Sequence, residues 1–313
     1  MKAFFEWTAW EMETPTPFGT FHLLFALIGI PLVIFLAFLL RKLSEKQNRI
    51  MLLCIGIFLM LFELYKQLFY FFVIHDGGYY PLWILPFQLC SVPMYLCVIC
   101  ACCKNRKFNS WLYDFMFAFN LFGGLITFIE PSGINHPYVM LTLHAYIWHI
   151  SLIFLGFYFF FSKRACTNWK GYFKGLAVFG VMVAIAQIIN ICTQGQGGCN
   201  MFYISPYNNS PLAFFKEFSI NNGWVANMFL YLFALVLAGS IIYYLAFLIR
   251  WLYNRKKNKQ PENKDYAQIA LGKIKEGEEE KKELVFAKLN EASATEPHSE
   301  TEAKKKKESK NKQ

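Results

Sequence analysis

Residues 20–50 read TFHLLFALIGIPLVIFLAFLLRKLSEKQNRI. The stretch from Thr20 to Leu40 carries no charged residue, and the nine residues after it hold Arg41, Lys42, Lys46 and Arg49. About 20 apolar residues at roughly 1.5 Å rise each cross the roughly 30 Å of bilayer hydrocarbon. An apolar run of that length closed by a basic loop is the signature of a membrane span with its loop in the cytoplasm. The same pattern recurs along the chain and predicts seven spans, over residues 20–40, 50–74, 82–101, 109–129, 139–162, 172–192 and 224–251.

The connections alternate in charge. The first holds the four basic residues above, the third holds Lys104, Arg106 and Lys107, and the fifth holds Lys163, Arg164 and Lys170. The second and fourth have no Lys or Arg, and the sixth has only Lys216. The positive-inside rule then places the N-terminus outside and the C-terminus in the cytoplasm, as seven crossings require. The expected fold is all-α: a seven-helix transmembrane domain over residues 1–253 and a charged tail over 254–313, in a multi-pass protein of the cell membrane.

Composition agrees. Of 313 residues 56% are apolar, 34 are Phe and only 17% are charged, against about 25% charged in soluble domains. From Arg255 onward the chain holds 16 Lys or Arg and 12 Asp or Glu, leaving 15 and 9 for everything before. Such a tail buries too little apolar surface to order itself, although Tyr266–Leu289 could form a charged helix. The net +10 is spent on topology, and nucleic acid is not an expected partner. Thiols at the inner end of the third span (Cys97, Cys100, Cys102, Cys103) read as small hydrophobes rather than metal ligands. Cys192 and Cys199 border one outer loop, where an oxidising exterior would let them pair. No phosphate-binding Gly loop, G-x-S-x-G elbow or zinc motif occurs, so no cofactor is expected.

Ionisable and amide side chains inside membrane spans are costly and mark function by default. Glu63, Lys66 and Gln67 lie in the second span, Gln88 and Cys90 in the third, and Asp114 and Asn120 in the fourth, with the close-packing pair Gly123 and Gly124. His144, Trp148 and His149 lie in the fifth, Gln187 and Asn190 in the sixth. Depth counted along each helix puts most of these between roughly 9 and 16 Å below the outer surface. Only Asp114 falls toward the cytoplasm. One polar pocket opening outward is therefore expected, with Glu130 and His136 at its mouth. His144 and His149, five residues apart, point about 140° apart on a helix, which argues against a shared metal.

The ordered set LPFQLCS, FGG, H-I-S-L-I-F-L-G-F-Y from His149 and N-x9-N-M-F-Y-I-S-P from Asn190 resembles the YwaF-like family of bacterial integral membrane proteins, over residues 18–250. That family is similar to eukaryotic transmembrane-164-type acyltransferases, which move fatty acyl chains between phospholipids with a Cys and a His. The resemblance implies membrane phospholipids as partners, His149 as base and Cys90 as nucleophile. Gln88, Asn190, His144, Glu63, Lys66 and Asn120 would then bind substrate. Aligned on Pro86 the acyltransferase Cys falls on Phe87, and the bacterial relatives carry His where this chain has Gln88. Cys90 as nucleophile, His149 working with water, and a pocket that has lost chemistry all stay open. A small-ligand binding or transport protein is the alternative, and a scaffold acting through its tail is a third reading.

Overall fold

The computed structural model describes residues 1–195, 198–258 and 277–288, and these are helical or irregular apart from one antiparallel bridge between Glu11 and Tyr138. A short amphipathic turn, α1 (Lys2–Trp7), precedes the membrane helices α2 (Thr20–Lys42) and α3 (Glu45–Ile74). Then come a short apolar helix, α4 (Val92–Cys102), and the long helices α5 (Arg106–Ile129), α6 (Val139–Phe161) and α7 (Trp169–Cys192). A peripheral helix α8 (Ala213–Asn222) leads into α9 (Trp224–Lys256). Among the described residues six helices are long and apolar enough to cross a membrane.

The helix starts follow local chemistry. Ser44 and Gln47 form a reciprocal capping box at α3, Asn105 caps α5 through the amides of Lys107 and Phe108, and Asn168 caps α7 through that of Gly171. Each side-chain oxygen takes an amide that the first turn leaves without an intrahelical acceptor. Pro31 has no N–H to offer the carbonyl four residues back, and the chain widens into a π turn over Phe25–Gly29 just before it.

The stretch read as one span over 82–101 is built differently. A single 3-10 turn (Leu82–Ile84) is followed by irregular backbone to Ser91, and only Val92–Cys102 is α-helical. At 1.5 Å per residue α4 is about 16 Å long, half a bilayer core. The reason is proline: Pro81, Pro86 and Pro93 each remove a donor and disfavour helix in the residue before. Irregular backbone at membrane depth survives only where protein satisfies its polar groups. Here the Ile84 carbonyl accepts from Gln67 (2.8 Å), that of Pro86 from Tyr95 (3.1 Å), that of Leu89 from Asn120 (2.7 Å) and that of Cys90 from Trp148 (2.9 Å).

The three basic connections gather at one end of the bundle. Arg164 pairs with Glu45, Arg106 approaches Glu45 at 4.0 Å, and Arg49 Nε donates to the Ala101 carbonyl at 2.7 Å. At the opposite end the N-terminal segment is tied to the neutral connections. Met12 N donates to Pro137 O, Val139 N donates to Trp10 O, and Lys2 pairs with Asp76. The Lys2 ammonium holds the exposed Asp76 carboxyl below its ordinary value.

Inside, aromatic and small residues interlock. Phe119 stacks on Phe179 with centroids 4.5 Å apart. A Cβ at Gly156 of α6 would come within 2.6 Å of Leu121, so these helices touch at a glycine. Of the Gly123–Gly124 pair only Gly124 serves close packing: a Cβ there would lie 3.1 Å from the His149 carbonyl, whereas nothing lies within 4 Å at Gly123. The chain divides into two compact units, Met1–Ile249 and Arg250–Gln313. In the second, residues 277–288 form a helix; most of the tail, including the final KKKKESKNKQ, lies outside the described residues.

Candidate functional site

The two amides expected at the site, Gln88 and Asn190, converge on one loop. Asn190 Oδ1 accepts from Met201 N at 2.6 Å and its Nδ2 donates to Met201 O at 3.0 Å. Gln88 Oε1 accepts from Phe202 N at 2.9 Å and its Nε2 donates to Asn200 O at 2.8 Å. Between them they clamp residues 200–202, where Phe202 and Tyr203 take the left-handed conformation, each with φ of 54°. Asn200 continues the clamp, accepting from Ser205 N and donating to the carbonyls of Asn208 and Asn209. The N-x9-N-M-F-Y-I-S-P motif is thus a loop-holding device, and both carboxamides are spent on backbone.

Asn190→Leu removes a donor and an acceptor from a 1%-exposed site, leaves Met201 N unpaired and leaves Met201 O with only the 3.4 Å bond from Ile204 N. At about 1–3 kcal/mol per orphaned buried group, the loss is about 1–3 kcal/mol. Melting in detergent at fixed scan rate should fall by several degrees for Asn190→Leu. It should fall by less for Asn190→Asp, which can still accept from Met201 N. Equal melting of Asn190→Leu and wild type would show that the clamp carries no stability.

A second cluster surrounds Glu63, which is 3% exposed. Its Oε1 takes Lys66 Nζ at 2.8 Å and a hydrogen bond from Gln67, and its Oε2 lies 3.7 Å from His144 Nε2. Gln67 also accepts from the Tyr80 hydroxyl. His144 is sandwiched: the Phe62 ring is 4.6 Å away, and Trp148, one turn on, stacks at 5.3 Å with 24° between planes. Its Nε2 is buried without a hydrogen-bond partner. Because the Trp148 indole donates to the Cys90 carbonyl, the broken segment and the Glu63 cluster form one connected unit.

His149 faces another way. Its Nδ1 lies 2.7 Å from the Ala145 carbonyl. A carbonyl only accepts, so Nδ1 carries the proton and Nε2 carries the lone pair. Asn120, fully buried on the π turn Met116–Asn120, spends its Nδ2 on Leu89 O and leaves Oδ1 without a partner. Cys90 is half-buried beside Leu59, Met94, Trp148 and Leu152, and among the described residues it makes no hydrogen bond to His149. Cys192 and Cys199 are free thiols.

Asp114 belongs elsewhere. It takes Cys166 N at 2.6 Å, and Lys174 stands 3.7 Å away, so it anchors the basic end of the bundle. His136, in the connection before α6, brackets Thr142 through its backbone; burial lowers its pKa, with the Lys66 charge acting in the same direction. Sequence reasoning named Gln67 and Trp148 but passed over His22 and Tyr80. His22 is 2% exposed, accepts from Phe18 N and donates to Phe128 O, pinning α2 to α5. A lone His on an apolar face gave no signal for that, whereas Trp148 at the i+4 position to His144 did.

The match to known families covers this whole arrangement. A family model described as the TMEM164 family matches residues 17–246, from the start of α2 through most of α9. No curated protein and no solved structure matches the chain. A membrane protein of apolar helices whose matched segment takes in every residue of both clusters, the chain belongs to the TMEM164 family.

Proposed function

We propose that the protein is a phospholipid acyltransferase or acyl-ester hydrolase, with His149 as base and Cys90 as nucleophile. The observation that carries this reading is the fixed tautomer of His149: with Nδ1–H held by Ala145 O, Nε2 is an unprotonated acceptor inside the protein. The Cys90 proton passes to Nε2 as sulfur attacks the ester carbonyl of a bound phospholipid. The ester C–O bond breaks, and the lysophospholipid alkoxide leaves with that proton. A second lysophospholipid hydroxyl, or water, then attacks the thioester and gives its proton to His149; the C–S bond breaks, and His149 passes the proton to the departing Cys90 sulfur. In this reading the Lys66 ammonium, paired with Glu63 in the neighbouring cluster, favours the oxyanion.

A further feature supports a lipid substrate. An apolar groove of about 340 Å³ runs between α1, α3 and α6, lined by Phe4, Phe58, Leu61, Phe62, Tyr65 and Met140. Phe62, which lies against the His144 ring, forms its inner wall. It has room for an acyl chain entering from the bilayer. Glu63, His144 and Asn190 are almost inaccessible in this state, so the clamped loop over residues 200–203 would have to move to admit a headgroup. In this reading α4 and the irregular segment before it make the seventh crossing, the basic end faces the cytoplasm, and the clamped loop faces outward.

The test is mass spectrometry of purified protein in liposomes containing isotopically labelled phospholipid and a lysophospholipid acceptor. Label should move to the acceptor with wild type and should stop with Cys90→Ala. Label that still reaches water with Cys90→Ala would leave hydrolysis and remove the nucleophile. No label movement with wild type would sink the enzyme reading. The second reading, a carrier of a small ligand or proton, is favoured by one observation: His144 Nε2 sits unpartnered beside Glu63. Tracer uptake lost in Glu63→Gln, with lipids unchanged, would establish it.

A further inference from the structure

At the basic end, a cavity of about 260 Å³ opens between the starts of α3 and α5 and the connection from α6 to α7, lined among others by Glu45, Arg106, Asn109, Ser162, Lys163 and Arg164. The acyl chemistry uses none of these residues. All three nitrogens of Arg164 are turned into the protein. It pairs with Glu45 through Nη1, donates to the Leu43 carbonyl at 2.8 Å through Nη2, and reaches the Tyr158 hydroxyl at 3.3 Å through Nε. Burial lowers the Arg164 pKa, and the Glu45 and Tyr158 bonds outweigh that effect and raise it. The Arg164–Glu45 pair is therefore a neutral floor.

Above that floor two cations remain. Arg106, 79% exposed, has only a 4.0 Å contact with the already paired Glu45, and Lys163, in the left-handed conformation with φ of 58°, has no acidic partner among the described residues. The wall between them holds unspent polar atoms. Asn109 is 5% exposed and gives both amide hydrogens to the carbonyls of Cys100 and Cys103, which leaves its Oδ1 buried without a partner. Ser162 Oγ is likewise buried without a partner. Leaving such groups unpaired costs free energy, and a ligand that completes them recovers it.

We infer that this cavity binds a phosphate diester bearing a hydroxyl donor, as found in the headgroup of an anionic glycerophospholipid. Arg106 and Lys163 can each take one of the two non-bridging oxygens of a phosphodiester, the Asn109 carbonyl oxygen needs a donor, and the Ser162 hydroxyl can serve either role. The charged and polar lining of the cavity suits a headgroup rather than an acyl chain, and its place at the basic end puts it at headgroup level. The same chemistry could come from a soluble glycerophosphodiester, which lacks acyl chains to hold it at the bundle.

Native mass spectrometry of the full chain in detergent micelles distinguishes the sources. Phosphatidylglycerol should add to wild type as one retained molecule, and phosphatidylcholine, with no hydroxyl donor, should add far more weakly. Arg106→Gln/Lys163→Gln should weaken phosphatidylglycerol binding about tenfold or more. Lys46→Gln/Lys104→Gln, which removes the same charge from exposed positions at the same end but outside the cavity, should change it less than twofold. Equal weakening by both double variants would mean diffuse surface attraction and overturn the site, as would no weakening by the first. Retention of the soluble diester glycerophosphoglycerol in place of the lipid would overturn the lipid source. All four positions are solvent-exposed, and an unchanged melting temperature before ligand addition shows that each variant is folded.

Discussion

Replacing His149 by Asn should lower acyl transfer by about 10²–10⁴-fold, the contribution of a positioned general base, while the protein still folds. Asn is the informative replacement because its Nδ2 occupies the place of the imidazole Nδ1 and can still donate to Ala145 O, now held at 2.7 Å. What disappears is Nε2, the one atom the mechanism needs. A helix that keeps its side-chain-to-backbone bond should melt within a few degrees of wild type, so lost activity cannot be assigned to unfolding. The paired variant is His144→Asn. That position sits between Phe62 and Trp148 and faces Glu63. Its loss should disturb substrate placement and raise KM more than it lowers kcat. A collapse of kcat with His144→Asn and an intact kcat with His149→Asn would transfer the role of base to the Glu63–His144 pair. Both activities intact would remove histidine catalysis altogether.

How much of this could be read in the sequence depended on the range of the interactions. Apolar run lengths and loop charges are local quantities, and they located every long helix within a few residues: 139–162 against Val139–Phe161, and 172–192 against Trp169–Cys192. The segment over 82–101 has the same hydropathy but a different shape. Its three prolines were the available signal, and hydropathy alone outweighed them. Depth counting placed Gln88, Asn120 and Asn190 in one stratum, but it could not say that their amides would be consumed by backbone 11 to 114 positions away. Whether a buried Gln faces a substrate or a strained loop is decided by tertiary pairing, which has no local signature. The Glu63–Lys66 pair was legible because an i, i+3 spacing is a helix-face property. Its extension to His144 was not, since that contact joins α3 to α6.

That pair sets the largest expected stability effect. Glu63 holds Lys66 Nζ at 2.8 Å, and the two side chains are only 5% and 22% exposed. Glu63→Gln keeps the volume but leaves the Lys66 ammonium in a membrane helix without its anion, and leaves Gln67 without a charged acceptor. Removing one member of a buried pair costs about 3–5 kcal/mol, whereas removing both charges together is often close to neutral. Melting in nanodiscs should therefore drop strongly for Glu63→Gln and recover most of the way in Glu63→Gln/Lys66→Gln, a positive coupling in the double-mutant cycle. Additive losses in the double variant would mean that Lys66 reaches water or lipid headgroups and the pair is incidental. The cycle also separates structure from chemistry. If the double variant regains stability and still fails in acyl transfer, the charges act on the substrate itself, which the enzyme reading requires of Lys66. If it regains both, the cluster is an anchor that fixes α3 against the broken segment, and the acyl chemistry rests on His149 and Cys90 alone.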